Sequence, residues 1–109
     1  MAGLPPRERP DWHGRRQGRR LRTGRQRLMT EMLPRLRIAL PLPGSTIEPA
    51  ALFPAPPAAV WLEIGFGSGE HLAGQAAAHP AVGFIGCEAF VSGVASLLGH
   101  LDRLDLTNV

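Results

Sequence analysis

The sequence contains one cysteine and no lysine or tyrosine. A single cysteine, Cys87, excludes an intrachain disulfide framework and any zinc or iron–sulfur site that is built from several cysteines. A lone thiol also fits a reducing compartment better than a secreted protein. No apolar run approaches the ~18 residues that a membrane-spanning helix needs, so we expect no membrane partner.

The length and the composition indicate one small globular domain at most. The 109 residues are 44% hydrophobic and 19% charged, which is close to the average for globular chains. This composition excludes a coiled coil and a wholly disordered protein.

The positive charge comes entirely from arginine and lies almost wholly in the first third of the chain. Residues 1–37 hold eleven of the twelve arginines and three acidic residues, which gives a net charge of +8. Residues 38–109 hold one arginine and six acidic residues, a net charge of −5. A basic segment joined to an acidic body indicates that the basic segment binds a polyanion. Arginine suits this role because its planar guanidinium pairs with phosphate and stacks on bases.

Residues 1–37 form an arginine-rich arm with a short helix at its end. Residues 1–14 are predicted to be flexible, because they contain several prolines and show no apolar periodicity. Thr23 is predicted to cap the helix, with Gln26 in capping-box register. Pro34 predicts a break in this helix. The helix has an apolar stripe that consists of Leu28, Met29, Met32, Leu33 and Leu36.

Residues 38–59 form a proline-rich linker, and residues 60–109 form a body that alternates between apolar runs and helical patterns. The linker contains six prolines and has room for one short turn, near Glu48–Phe53. Val60–Ile64 and Val82–Cys87 predict two buried strands, and Cys87 is expected to be a small buried hydrophobic residue.

The body has the order of an open α/β sheet. Residues 70–78 follow the first strand and carry apolar residues at helical spacing, and a second helical pattern spans residues 90–104. Thr107–Val109 has the character of the entrance to a third strand. This order predicts parallel strands in an open sheet. Since such a sheet needs about five or more strands, we expect the sequence to be the N-terminal part of a longer domain.

The segment EIGFGSGE, which begins at Glu63, is the most informative part of the chain. Its glycines, Gly65, Gly67 and Gly69, let the backbone turn sharply and approach a ligand closely. The dinucleotide pattern G-x-G-x-x-G is not met, because its third glycine would fall at Glu70. Glu63 repels a pyrophosphate and attracts an ammonium or sulfonium group, which favours S-adenosylmethionine over NAD. The alternative is a structural turn without a ligand.

Glu88 directly follows the second strand, 19 residues after Gly69. An acid at this point of a strand–helix–strand unit is placed to accept hydrogen bonds from both hydroxyls of a ribose. The alternative is an exposed acid at the start of a helix, stabilised by the helix dipole.

Three stretches of the sequence resemble the bacterial tRNA (guanine-N7)-methyltransferases, a family of class I S-adenosylmethionine-dependent methyltransferases. They are GRRLRTGRQRLMTEMLP at 18–34, VWLEIGFGSGEHL at 60–72 and VGFIGCEAFVSGVASLL at 82–98. The phenylalanine within EIGFGSGE, and the sequence GCE followed by a phenylalanine, are more specific than the glycine turn alone. The resemblance covers most of the chain from about residue 13 onward.

The resemblance implies the opening βαβα of a Rossmann-like class I methyltransferase sheet behind a disordered basic arm. It implies S-adenosyl-L-methionine as the cofactor, Glu63 and Glu88 as two of the acids that bind it, and a cofactor loop at Gly65, Gly67 and Gly69. In the family, further cofactor-binding residues follow the third strand, and the catalytic aspartate and the proline-rich loop that holds the target base come later still. We therefore expect catalytic residues beyond Val109 and assign none within the chain.

The arginine run of residues 15–27 is predicted to bind RNA phosphates, since arginine-rich segments commonly become ordered on RNA. A mitochondrial targeting sequence is one alternative, but Glu8 and Asp11 are acidic and the early prolines break amphipathicity. A solvated tail without a partner is the other. The predicted RNA-binding residues are Arg15, Arg16, Arg19, Arg20, Arg22, Arg25 and Arg27.

By resemblance, the function is transfer of the methyl group of S-adenosylmethionine to N7 of a guanine in tRNA, in the cytoplasm. The four histidines show no metal-ligand spacing, so no metal is predicted. The 109-residue chain alone is expected to be inactive. Two alternatives are a class I methyltransferase that acts on another substrate and a non-catalytic RNA-binding fragment.

Overall fold

The computed structural model describes residues 22–109, so the predicted flexibility of residues 1–14 lies outside the described part of the chain. The described residues form a small α/β structure with a two-stranded parallel sheet. Its elements are, in chain order, α1 (Thr23–Glu31), α2 (Leu33–Leu36), a 3-10 turn (Pro49–Leu52), β1 (Ala59–Ile64), α3 (Glu70–Ala78), β2 (Val82–Cys87) and α4 (Val91–Leu104). Within residues 22–109, no helix is both long enough and apolar enough to cross a membrane.

The first helix begins one residue earlier than the capping prediction requires. Arg22 is the N-cap residue, and its carbonyl accepts a hydrogen bond from Gln26 N at 2.9 Å. Thr23 is therefore already the first helical residue, whereas a capping side chain must precede the helix in extended backbone. The predicted capping box is wrong, and no side chain caps α1.

Pro34 interrupts the helical segment as predicted. α1 ends at Glu31, and α2 begins at Leu33 with the proline in its first turn, where a missing N–H leaves no hydrogen bond unmade. α1 packs against α4. Of the predicted apolar stripe, Leu36 is exposed, and the half-buried members are Leu28, Met29, Met32 and Leu33.

The two strands pair in register from Ala59 opposite Val82 to Ile64 opposite Cys87. α3 connects them and packs against β2 and α4, which gives the predicted strand–helix–strand order. The core lies between these elements and consists of Leu72, Ala73, Ala76, Phe84, Leu97 and Leu101.

The predictions that β1 is buried and that Cys87 is a buried hydrophobic residue are wrong. Leu62 and Ile64 are 61% and 77% exposed, and Cys87, which pairs with Ile64, is exposed as well. Apolar composition favoured burial, but side chains alternate between the two faces of a strand. One face of the sheet lies against α3. On the other face, Phe53 packs against Gly83 at the start of β2, while the last residues of the two strands, Ile64 and Cys87, stay exposed.

Thr107–Val109, which was predicted to begin a third strand, forms no strand but makes one backbone hydrogen bond with β2. Asn108 O accepts a hydrogen bond from Phe84 N in β2 at 2.7 Å. The side chain of Asn108 donates from Nδ2 to Ala76 O at 3.0 Å, His79 O at 3.2 Å and Val82 O at 3.0 Å. This side chain therefore connects the end of α3, the start of β2 and the segment after α4.

Candidate functional site

The glycine loop lies between β1 and α3, at the carboxyl end of the sheet. Gly65, Gly67 and Gly69 have φ values of 74°, 63° and 85°, in the left-handed region that strains other residues. Gly65 N donates to Cys87 O at 2.7 Å, which joins the start of the loop to the end of β2. The predicted sharp turn is therefore present, and its backbone explains why glycines occur at this spacing.

The outer side of the glycine loop has room for a ligand. A Cβ atom placed on Gly65 or Gly67 would meet no other atom within 4 Å. Phe66 packs against the core and, with Glu88, also lines a groove of about 930 Å³ beside β2. Arg35 and Arg37, which follow α1, line the same groove.

Glu88 accepts a hydrogen bond from the backbone of the glycine loop and another from the residue that precedes α4. Its Oε1 accepts from Gly67 N at 2.7 Å, and its Oε2 accepts from Phe90 N at 3.1 Å. The amides of Phe90 and Gly67, in that order of effect, lower the pKa of the half-buried Glu88 carboxyl below its usual value. Sequence reasoning placed this acid at the site but did not foresee that it binds the loop itself. Each carboxylate oxygen keeps a second lone pair for another donor.

Glu63 lies at the end of β1, opposite Gly86 in the register of the sheet. Its Oε1 is 3.2 Å from His71 Nδ1 in the first turn of α3. The Glu63 side chain is 31% exposed, and that of His71 is 73% exposed. Within residues 22–109, no three His, Cys, Asp or Glu side chains lie together in a way that could hold a metal ion. The structure thus brings two acids, Glu63 and Glu88, to the carboxyl ends of adjacent parallel strands that flank one loop.

Gly93 was missed by the sequence-based prediction of the site, and it lies where the loop contacts α4. A Cβ atom on Gly93, in the first turn of α4, would collide with the carbonyl oxygen of Gly67 and lie 3.2 Å from Glu88 Cγ. A Cβ on Gly69 would lie 2.8 Å from Leu97 Cβ. A glycine within a helical pattern is the only sequence signal for Gly93.

The predicted RNA-binding residues divide between the described and the undescribed parts of the chain. Arg22, Arg25 and Arg27 lie on or next to α1 and are exposed. Arg27 Nε is 3.5 Å from Glu31 Oε2, an exposed pair one turn apart. The other four lie outside residues 22–109: Arg15, Arg16, Arg19 and Arg20.

Comparison with known proteins gives consistent matches. Residues 57–109 match a family model described as a putative methyltransferase. A tRNA (guanine-N(7)-)-methyltransferase of Paramagnetospirillum magneticum is 52% identical over 101 residues, which cover 93% of this chain and 42% of the relative. A protein of the same name from Rhodospirillum rubrum is 49% identical over 108 residues, covering 95% of this chain and 42% of the relative. A third, from Rhodopseudomonas palustris, is 45% identical over 98 residues, covering 88% of this chain and 37% of the relative.

Proposed function

Since the chain resembles the N-terminal part of the bacterial tRNA (guanine-N(7)-)-methyltransferases, a resemblance that the matches confirm, we propose that it serves the same reaction. The chain spans about 42% of the length of the first two relatives. The proposed activity is transfer of a methyl group from S-adenosylmethionine to N7 of a guanine in tRNA. The described residues contribute the part of the cofactor site that β1, β2 and the glycine loop form.

The observation that carries this proposal is the position of two carboxylates beside an accessible glycine loop. Glu63 and Glu88 end neighbouring parallel strands, and ligands of open α/β sheets bind beyond the carboxyl ends of the strands. Carboxylates attract the positive charges of S-adenosylmethionine. No lysine or arginine occurs between Arg37 and Arg103, so the strands and the loop themselves hold no cation, and the arginines that line the adjacent groove, Arg35 and Arg37, come from the segment after α1. At the strand ends themselves, the two carboxylates favour a cationic cofactor over a dinucleotide.

Each part of the site has a defined role in the proposal. The free lone pairs of Glu88 accept hydrogen bonds from the ribose hydroxyls, while its bond to Gly67 fixes the loop that the cofactor contacts. Glu63 faces the positively charged end of the cofactor. When bound, S-adenosylmethionine supplies an electrophilic methyl group to the guanine N7. Among residues 22–109 we assign no catalytic group, and the protein acts by orienting the two reactants and excluding water.

The arginine-rich arm supplies the proposed contact with tRNA. Arg22 and Arg25 are exposed at the start of α1, and α1 packs against α4, whose first turn contacts the glycine loop. The arm therefore joins the body at α4, the helix that also contacts the cofactor loop, and in this proposal its arginines bind the phosphates of the tRNA. We place this reaction in the cytoplasm because its substrate is tRNA.

Binding of S-adenosylmethionine to the 109-residue chain, followed by calorimetry or NMR, tests the cofactor site. A hydrogen bond to a charged group contributes about 1.5–3 kcal/mol, so Glu63→Ala and Glu88→Ala should each weaken binding by ~10–150-fold. Glu48→Ala removes an exposed linker carboxylate and is the matched control for charge.

Three results would separate the proposal from its alternatives. Unchanged affinity in both site variants would exclude the assigned cofactor site. Binding of S-adenosylmethionine without binding of tRNA would favour a class I methyltransferase with another substrate. Binding of tRNA without any binding of S-adenosylmethionine would favour a non-catalytic RNA-binding module.

A further inference from the structure

We propose that Gly93 is a positioning residue of the cofactor site and acts together with Glu88 to fix the backbone of Gly67. Glu88 holds the loop by a hydrogen bond to its amide, and Gly93 provides the space that its carbonyl occupies. The link to cofactor affinity rests on the function proposed above. The effect on the loop itself depends only on the described contacts.

The carbonyl side of the loop lies directly on α4. A methyl group at position 93 would overlap the carbonyl oxygen of Gly67. This oxygen belongs to the backbone, so it cannot move aside as the end of a flexible side chain could. One turn further along α4, Leu97 Cβ is 2.8 Å from the position that a Cβ on Gly69 would take. Positions 93 and 97 share one helix face. The loop therefore crosses the first two turns of α4 along a single face.

The amide side of the same residue is bound to a charged group. Gly67 N donates to Glu88 Oε1 at 2.7 Å, while Glu88 Oε2 is engaged by Phe90 N at 3.1 Å, just before α4 begins. Glu88 Cγ lies 3.2 Å from the position that a Cβ on Gly93 would take, so an alanine there would press on both the loop and its carboxylate. The two constraints act on one residue of the loop, and losing either allows its backbone to move.

Not every glycine in the helices has this role. Gly99, also in α4, and Gly74, in α3, have no atom within 4 Å of an added Cβ. Gly99→Ala is therefore a matched control: it adds the same methyl group to the same helix without touching the loop. Alanine in place of glycine in a helix interior is favourable where no contact opposes it.

The first readout is the backbone amide of Gly67 in the ¹⁵N-labelled 109-residue chain. An amide proton that is bound to a carboxylate shifts when the carboxylate is protonated. In the original chain and in Gly99→Ala, the Gly67 and Phe90 amides should therefore titrate together as Glu88 is protonated. In Gly93→Ala, the Gly67 amide should lose this titration while that of Phe90 keeps it. A general loss of folding would remove both.

The second readout is binding of S-adenosylmethionine, followed through the same amides. A displaced loop no longer presents its contacts to the cofactor, and losing about one charge-assisted hydrogen bond to the ligand should make Gly93→Ala bind ~10–150-fold more weakly. Gly99→Ala should bind like the original chain. If Gly93→Ala fails to fold, Glu88→Gln leaves Gly93 in place and tests the Glu88 half of the proposal, because glutamine has one acceptor oxygen where glutamate has two, so one of the two backbone N–H groups loses its acceptor.

The outcomes separate this inference from the proposed function. If Gly93→Ala keeps both the titration of the Gly67 amide and the affinity for the cofactor, the inference is overturned. A Gly67 amide in Glu88→Gln that still follows a carboxyl titration would overturn it as well. If the original chain shows no response to S-adenosylmethionine, the proposed function fails, and the amide titrations alone decide whether Gly93 and Glu88 fix the loop.

Discussion

Asn108 connects three parts of the protein, and its replacement should loosen all of them together. Its Nδ2 lies within hydrogen-bonding distance of the carbonyls of Ala76, His79 and Val82. An amide nitrogen carries two hydrogens, so it makes two full bonds or shares them among three acceptors. At a net 0.5–1.5 kcal/mol for each bond, Asn108→Ala should destabilise this junction by about 1–3 kcal/mol.

Asn108→Asp sharpens the test because it keeps the size of the side chain and removes its donor. The new carboxylate would face three carbonyl oxygens near the C-terminal end of α3, where the helix dipole also disfavours negative charge. This variant should therefore be less stable than Asn108→Ala at neutral pH. The environment raises the pKa of the introduced carboxyl, so the extra loss should disappear as acidification protonates it.

The measurement is the exchange rate of the Phe84 amide hydrogen, which binds Asn108 O at 2.7 Å. We expect exchange to be about 5–150-fold faster in Asn108→Ala when it is measured at ~10–20 °C, where folded domains are typically most stable. Thr107→Ala alters the exposed neighbouring residue and is the control. Equal protection of Phe84 in all three variants would refute the argument that this side chain holds the junction together.

Three further predictions concern the arm, the whole chain and Glu88. If ~4 of the seven predicted RNA-binding arginines engage phosphates, the logarithm of the affinity for RNA should fall with the logarithm of the salt concentration at a slope of about −3. Changing all seven to glutamine should abolish this slope. Salt-independent binding would exclude the arm as the contact surface. The described residues form only two strands and leave one sheet face partly uncovered. The 109-residue chain alone should therefore unfold at low temperature with little cooperativity, and it should transfer no methyl group to tRNA. A sharp melt would contradict the first expectation, and methylated tRNA would contradict the second. The pKa of Glu88 is lowered in the folded state, so this residue stabilises the fold at pH values above the ordinary glutamate pKa of ~4.3 and ceases to do so as the pH falls further. Glu88→Gln should therefore make the free energy of unfolding less dependent on pH in that acidic range. An unchanged pH dependence would argue against the two amide contacts.

Local sequence signals predicted the order of the elements and the position of the loop. The bounds of β2 were predicted as Val82–Cys87 and are found there, because an apolar run of strand length that is bounded by turn residues favours a strand over a helix. The glycines at 65, 67 and 69 likewise reported a backbone that only glycine adopts readily. These features depend on residues that are neighbours in sequence.

Features that depend on tertiary contacts were not predicted. Gly93 and Gly99 both occur within the helical pattern of α4, but only Gly93 lies against the loop, and the sequence pattern does not indicate that contact. Ile64 is exposed because no element within the described residues covers that part of the sheet face, and the residue types of β1 do not indicate which face is covered. Asn108 binds carbonyls 26 to 32 residues away, for which no periodicity gives a signal.

The exposed thiol at the end of β2 has a practical consequence. Cys87 is the only cysteine of the sequence, so a thiol-reactive fluorophore would attach at one defined position without any engineering. Its own carbonyl accepts the hydrogen bond from Gly65 N, and the next residue is Glu88. A probe at this position would sit at the boundary between the glycine loop and the uncovered face of the sheet. Its emission would report both the entry of a ligand at the loop and the covering of that face by another molecule.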